Sequence, residues 1–132
     1  GIQKKQIVIL TVKTEETSLL SGVSSVAGYT LAQSRDSNGI MFTSSRKFKG
    51  LESDVVIIVD VDDSCFLDDE KRRVFYVGSS RAKHFLDIVS VMDDQHVNNM
   101  VVQLTGEEKK NARLALASFL KVKLVSGSVF SA

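Results

Sequence analysis

Asp54-Val-Val-Ile-Ile-Val-Asp-Val61 (DVVIIVDV) is the stretch that decides the fold. Its apolar residues are almost continuously β-branched, which restricts the side-chain rotamers and suits extended backbone. An apolar run of this kind, without regular polar alternation, is the pattern of a strand covered on both faces, as in a parallel sheet between helices. Three further apolar runs read as strands: Gln6–Val12 (QIVILTV), Gly39–Thr43 (GIMFT) and His84–Val91 (HFLDIVSV). The last alternates more and is expected nearer a sheet edge.

Helical patterns separate these runs. A helix is expected to begin near Thr14, with Glu15 and Glu16 in its first turn, and the following Gly28–Asn38 is loop-like and takes no assignment. Asp69–Lys83 reads as a helix capped by Asp68 or Asp69, with basic residues in its last turn. Two more are expected, from about Asp93 to Leu104 and from after Thr105-Gly-Glu-Glu108 to about Val122. Thr105 and Glu108 have the spacing of a capping box, and Ala112, Leu116, Phe119 and Leu120 form a stripe suited to packing on a sheet. Strands alternating with helices imply an α/β fold of three layers, a mainly parallel sheet flanked by helices. Residues 1–125 read as one domain, and the aperiodic 126–132 as a disordered tail.

Composition narrows the class of protein. Hydrophobic residues at 43% and charged residues at 25% exclude a disordered chain. The net charge of +1 means that any nucleic-acid binding must come from local patches, because the domain as a whole has no strong field. Cys65 is the single cysteine, so no internal disulfide forms and a reducing, cytoplasmic setting is the simpler reading. No apolar run reaches the roughly 18 residues of a membrane span. The chain opens on Gly1 rather than a methionine, and a parent protein continuing upstream is expected.

Two segments carry chemistry. In Thr43-Ser-Ser-Arg-Lys-Phe-Lys-Gly-Leu-Glu-Ser-Asp54, hydroxyls and the cations Arg46, Lys47 and Lys49 crowd what reads as a strand-to-helix turn ending in Lys49-Gly50. Free backbone N–H groups, side-chain donors and positive charge together are what an anion needs, at the strand end where α/β sheets bind ligands. A solvated basic turn accounts for the composition equally well. In Arg72-Arg-Val-Phe-Tyr-Val-Gly-Ser-Ser-Arg-Ala-Lys83, a continuous helix would put Arg81 in line with Val74, Val77 and Gly78 on one packed face. A guanidinium there needs a partner, either a carboxylate of the same domain or a phosphate across a cleft, and the residues alone favour the ion pair. Gly78 costs about 1 kcal/mol relative to Ala within a helix, which points to close approach of another backbone.

Ser44-Ser-Arg-Lys-Phe-Lys-Gly-Leu-Glu52, with an apolar strand directly after it, resembles motif V of UvrD/Rep-type superfamily 1 helicases, commonly T-I-H-K-x-K-G-L-E. Phe75-Tyr-Val-Gly-Ser-Ser-Arg-Ala-Lys83 is similar to their motif VI, commonly Y-V-A-x-T-R-A-K/R. Their order, with an apolar strand after each, makes the pair specific, and the likeness is confined to Ile40–Val91. The resemblance implies a RecA-like domain of the P-loop NTPase type, the second of the two in an ATP-dependent DNA helicase or translocase. In that family ATP and Mg²⁺ bind in the cleft shared with the first RecA-like domain of the same chain, and single-stranded DNA crosses both domains.

By that resemblance Arg81 is the arginine that reaches the γ-phosphate and stabilises charge in phosphoryl transfer. Lys49, Gly50 and Glu52 belong with ATP, Gly50 admitting the nucleotide to the backbone and Glu52 meeting its sugar or organising the cleft. Ser44, Arg46 and Lys47 belong with single-stranded DNA, although Lys47 and Lys49 could each serve either ligand. Ser80 and Lys83 support Arg81. Ser44 stands where the family has Thr, Arg46 where it has His, Phe48 where it has a small polar residue and Gly78 where it has Ala. Arg46 exchanges a stacking ring for a fixed charge.

No G-x-x-x-x-G-K-[ST] occurs, so the chain by itself is expected to hydrolyse no ATP and to hold no cofactor. Asp60, Asp62 and Asp63 read as a polar strand end rather than a Walker B metal site, and Asp62, Asp63, Asp68 and Asp69 around Cys65 as a solvated acidic loop. No metal site is expected. Two further classes remain beside the motor half-domain: a helicase-like nucleotide switch in an ATP-dependent nuclease or stress-response protein, and a decayed structural domain. Lys49, Gly50, Glu52 and Arg81 standing together count against decay.

Overall fold

The computed structural model describes residues 2–34, 38–90 and 92–120. The chain divides into two compact units, Gly1–Val91 and Met92–Ala132. In the first, after a short 3-10 turn at Lys4–Gln6, the strands are β1 (Ile7–Thr11), β2 (Ser25–Val26), β3 (Tyr29–Ala32), β4 (Ile40–Ser44), β5 (Ser53–Val61) and β6 (Ala82–Ser90). Helices α1 (Ser64–Leu67) and α2 (Asp69–Ser79) connect β5 to β6. The six strands form one sheet in the order β2-β3-β4-β1-β5-β6. Every pairing is parallel except the β2–β3 hairpin. This is the α/β architecture of a RecA-like domain.

The apolar run that opened the reading pairs with β1 on one side and β6 on the other. Its alternate residues supply both faces of the sheet, as a parallel strand with two covered faces requires. Val8, Leu10, Val56 and Ile58 are buried on one face, toward α2, whose Gly78 lies against Ile58. Ile9, Ile40 and Phe42 form the buried cluster on the other face, with Ile7, Leu20, Leu31, Ile57 and Val59 packed around it. Phe66 of α1 and Phe75 of α2 meet edge to face at 5.2 Å and join the two short helices.

Several expectations are corrected. The segment from Thr14 is a run of turns, not a helix. Thr17 and Ser18 N–H groups do donate to the Thr14 carbonyl, but Leu19 N–H, which a helix would turn to Glu15, donates to Asp60 Oδ1 at 3.0 Å. Hydroxyls of Thr14, Thr17 and Ser18 take up further local bonds, the competition that makes such residues poor helix formers. The unassigned Gly28–Asn38 contains β3, which forms a hairpin with β2 just before it, and the two central residues, Ala27 (φ 52°) and Gly28 (φ 83°), have the positive φ of a type I′ turn.

Helix α2 begins as expected, Asp68 accepting from Lys71 N at 2.9 Å, but ends at Ser79 rather than Lys83. Ser79 and Ser80 hydroxyls donate back to the carbonyls of Phe75 and Val77, and Arg81 N–H closes on Gly78, so the last turn is tied off before β6 starts. No basic residue lies in the last turn of α2.

In the second unit, α3 (Asp94–Thr105) is capped by Asp93, which accepts from His96 N at 2.8 Å, and stopped by Gly106 at φ 83°. Helix α4 (Ala112–Leu120) packs on α3. The Thr105–Glu108 capping box does not form: Thr105 is the last residue of α3, its hydroxyl donating to Val101, and Asn111 caps α4 by accepting from Leu114 N at 3.1 Å. Ala112 and Leu116 of the expected stripe are half-buried, whereas the side chains of Phe119 and Leu120, the helix end at Val122, the strand end at Val91 and the tail 126–132 lie outside the described residues. Among the described residues no helix is long and apolar enough to cross a membrane.

Candidate nucleotide and nucleic-acid site

The segment 45–52 leaves the carboxyl end of β4, where Ser45 N–H donates to Thr11 at the carboxyl end of β1. It arrives at the amino end of β5, where Ser53 hydroxyl donates to Gln6 and Ser53 N–H to the Arg81 carbonyl. The crossover therefore spans the height of the sheet, and it does so as turns, with no helix after the expected strand-to-helix turn. Its anchor is Phe48, which is 0% exposed and fills the core where the family has a small polar residue. Burying that ring fixes the turn that carries the exposed cations Arg46, Lys47 and Lys49.

At the carboxyl end lie Ser44, Arg46 and Lys47. Ser44 is buried and its Oγ accepts from Lys47 N at 3.2 Å, stiffening the turn while leaving its own hydroxyl proton to donate elsewhere. Arg46 reaches Glu70 of α2 at 3.3 Å, an exposed pair of small energetic weight. Lys47 meets Glu15 at 2.6 Å, and the hydrogen bond and charge of Glu15 hold the ammonium pKa above its ordinary value. Lys49 is exposed, and Gly50 turns the chain with φ 83° and open space beside its Cα.

At the amino end lie Glu52 and Arg81. Arg81 is not on a helix face but in the turn between α2 and β6, half-buried, with Nε donating to the Val77 carbonyl at 3.2 Å. The expected structural ion pair is absent: among the described residues no carboxylate pairs with this guanidinium. The residues that the resemblance groups with DNA and those it groups with ATP thus fall at different ends of one crossover, with Lys49 and Gly50 between. Lys83 is exposed on β6, and Ser80 caps α2.

The structure adds residues that sequence reading passed over. Asp60, read as a polar strand end, stands at φ 65° beside a register shift between β5 and β6. It accepts from Thr11 Oγ1 and Ser18 Oγ, both at 2.5 Å, and from Leu19 N. Burial pushes its pKa up, but those three bonds and nearby Lys13 outweigh burial and hold the carboxyl below its usual value. Through Ser18 and Leu19 it fixes the turn that presents Glu15 to Lys47.

Arg72 and Arg73 divide their work. Arg72 donates to the Phe66 carbonyl at the end of α1, while Arg73 lines a cleft of about 340 Å³ with Ser45, Arg46, Lys49, Glu70 and Val77. Cys65 is buried, and that burial raises its thiol pKa, which leaves it a packing residue rather than a nucleophile.

The domain that carries this crossover and this arginine turn is of the RecA-like α/β class. Residues 39–89 match the family profile of the UvrD-like helicase C-terminal domain, and over that stretch the chain is similar to it. The match covers less than half of the chain and includes both crossover and arginine turn. No curated protein matches the chain.

Proposed function

We propose that this chain is the C-terminal motor half-domain of an ATP-dependent superfamily 1 DNA helicase or translocase, completing an ATP site with a P-loop domain of the same protein and contacting single-stranded DNA. The observation that carries this reading is Arg81, tethered by Nε yet without a carboxylate partner among the described residues. A half-buried guanidinium held this way suits an anion supplied from outside the domain.

The residues present fit a nucleotide. Gly50 leaves its backbone open to close approach, and Lys49 and Arg81 supply positive charge. Glu52 directly precedes the amino end of β5, the end of the sheet at which Arg81 also lies, and its place in the resemblance is with the sugar or the cleft. ATP with Mg²⁺ supplies the phosphoryl group when bound. The part of this chain is to place fixed charge where negative charge develops, and preorganised charge of that kind lowers a barrier without reorganisation. Ser44, Arg46 and Lys47 at the opposite end of the crossover serve the DNA backbone. Since the chain has no P-loop, turnover requires the partner domain.

Arg81→Ala in the full-length protein tests the reading. ATP hydrolysis should fall by about 10³-fold or more while oligonucleotide binding is kept. Wild-type turnover in that variant would overturn it.

A further inference from the structure

The cleft between the crossover and α2 brings Ser45, Glu70 and Arg73, to which the resemblance gives no role, beside Arg46 and Lys49, to which it does. Its walls carry Arg46 and Lys49 from the crossover and Arg73 from α2, against the single carboxylate of Glu70. Among the described residues the side chains of Lys49 and Arg73 have no ion-pair or hydrogen-bond partner. Glu70 is engaged with Arg46 at the mouth. Two cations in one concavity repel each other unless an anion joins them.

The second observation is independent of charge. Ser45 lines the same cleft, is 1% exposed, and its Oγ has no hydrogen-bond partner among the described residues. A hydroxyl buried without a partner costs about 1–3 kcal/mol, so native structures seldom retain one. Here Gly78 makes the burial possible by letting α2 close over Ser45. A donor hydroxyl at the floor and guanidinium and ammonium groups on the walls match a tetrahedral oxyanion with several acceptor oxygens.

We propose that this cleft is a phosphate-binding site in which Arg73 and Lys49 supply the charge, Ser45 donates a hydroxyl, and Glu70 holds Arg46 at the mouth until the anion takes its place. The phosphate comes from a nucleic-acid backbone or from a free or nucleotide phosphate. Assigning the first source rests on the nucleic-acid reading above; the site itself does not. Arg73 thereby becomes a binding residue outside both motif assignments.

The test uses the whole 132-residue chain as wild type, R73Q, S45A, E70Q and the R46Q/K47Q double variant. Inorganic phosphate is titrated while backbone amide NMR shifts of Ser45, Lys49 and Gly78 are followed. A short labelled oligothymidylate is titrated by fluorescence anisotropy across a range of salt. Phosphate should shift those amides in the wild type, R73Q and S45A should weaken the response by about 3-fold or more, and E70Q should strengthen it. If R73Q also weakens the oligonucleotide and lowers its log–log salt slope by about 1, the backbone is the source. If only inorganic phosphate responds, the source is a free or nucleotide phosphate.

R73Q indistinguishable from wild type with both probes would overturn the proposal. Should R46Q/K47Q lose the oligonucleotide while R73Q matches wild type with both probes, the cleft fails and the nucleic-acid reading stands. Should inorganic phosphate respond to R73Q while no variant changes oligonucleotide binding, the cleft stands and the nucleic-acid reading fails.

Discussion

Gly78 of α2 lies so close to Ser45 of the crossover that a Cβ added to Gly78 would stand 2.6 Å from Ser45 Oγ and 3.5 Å from Ile58 Cδ1. Motif V and motif VI, 33 positions apart at these residues (78 − 45), are thereby in direct contact, and the glycine that weakens the helix is what permits it.

Substituting Gly78 by Ala should therefore destabilise the first unit despite the better helix propensity. Ala gains about 1 kcal/mol as a helix former, whereas forcing a methyl into a packed interface costs about 1–3 kcal/mol. The net loss should appear as a lower urea midpoint with an unchanged m-value. Ser45→Ala removes the unpartnered hydroxyl and should raise stability by about 1 kcal/mol while weakening phosphate binding. A stabilised variant that binds phosphate as the wild type does would contradict the role given to Ser45.

Asp60 should be the most costly surface-proximal carboxylate to remove. Asp60→Ala loses bonds from Thr11, Ser18 and Leu19 and puts alanine at φ 65°, for a total of roughly 3 kcal/mol. Because the folded carboxyl has a lowered pKa, its contribution is fully present above the ordinary aspartate value near 4 and is lost as pH falls through the lower folded value. Asp60→Asn tolerates the same backbone angle, so it should flatten this acid limb of a urea-midpoint-against-pH profile without changing the neutral-to-alkaline limb.

Glu15→Gln should free Lys47. The neutral amide keeps a hydrogen bond but no charge, so oligonucleotide affinity should rise by about 3-fold at low salt and converge with wild type as salt screens the site. The raised Lys47 pKa should fall back toward its ordinary value in the same variant, which side-chain NMR titration would read.

In the second unit, Asn111→Ala should weaken α4 by about 1 kcal/mol through loss of its cap, read as faster amide exchange in the helix. Glu108→Gln should leave exchange there unchanged, since Glu108 does not cap α4.

Residues close in sequence were legible because their patterns are local. The period and β-branching of Asp54–Val61 determined a buried parallel strand, Asp68 and Asp93 announced their helices, and the crossover and arginine turn could be aligned with a family from contiguous residues. Tertiary structure decided what those patterns cannot contain. Asp60 draws Leu19 N–H away from a helix across 41 positions, Glu15 and Glu70 choose Lys47 and Arg46 as partners, and Arg81 ends in a turn with its Nε on the Val77 carbonyl and no carboxylate within ion-pair distance among the described residues. The reason is physical: a strand or helix start is specified by neighbouring residues along the chain. The partner of a charge or of a spare N–H is specified by whichever group folding brings within about 3 Å.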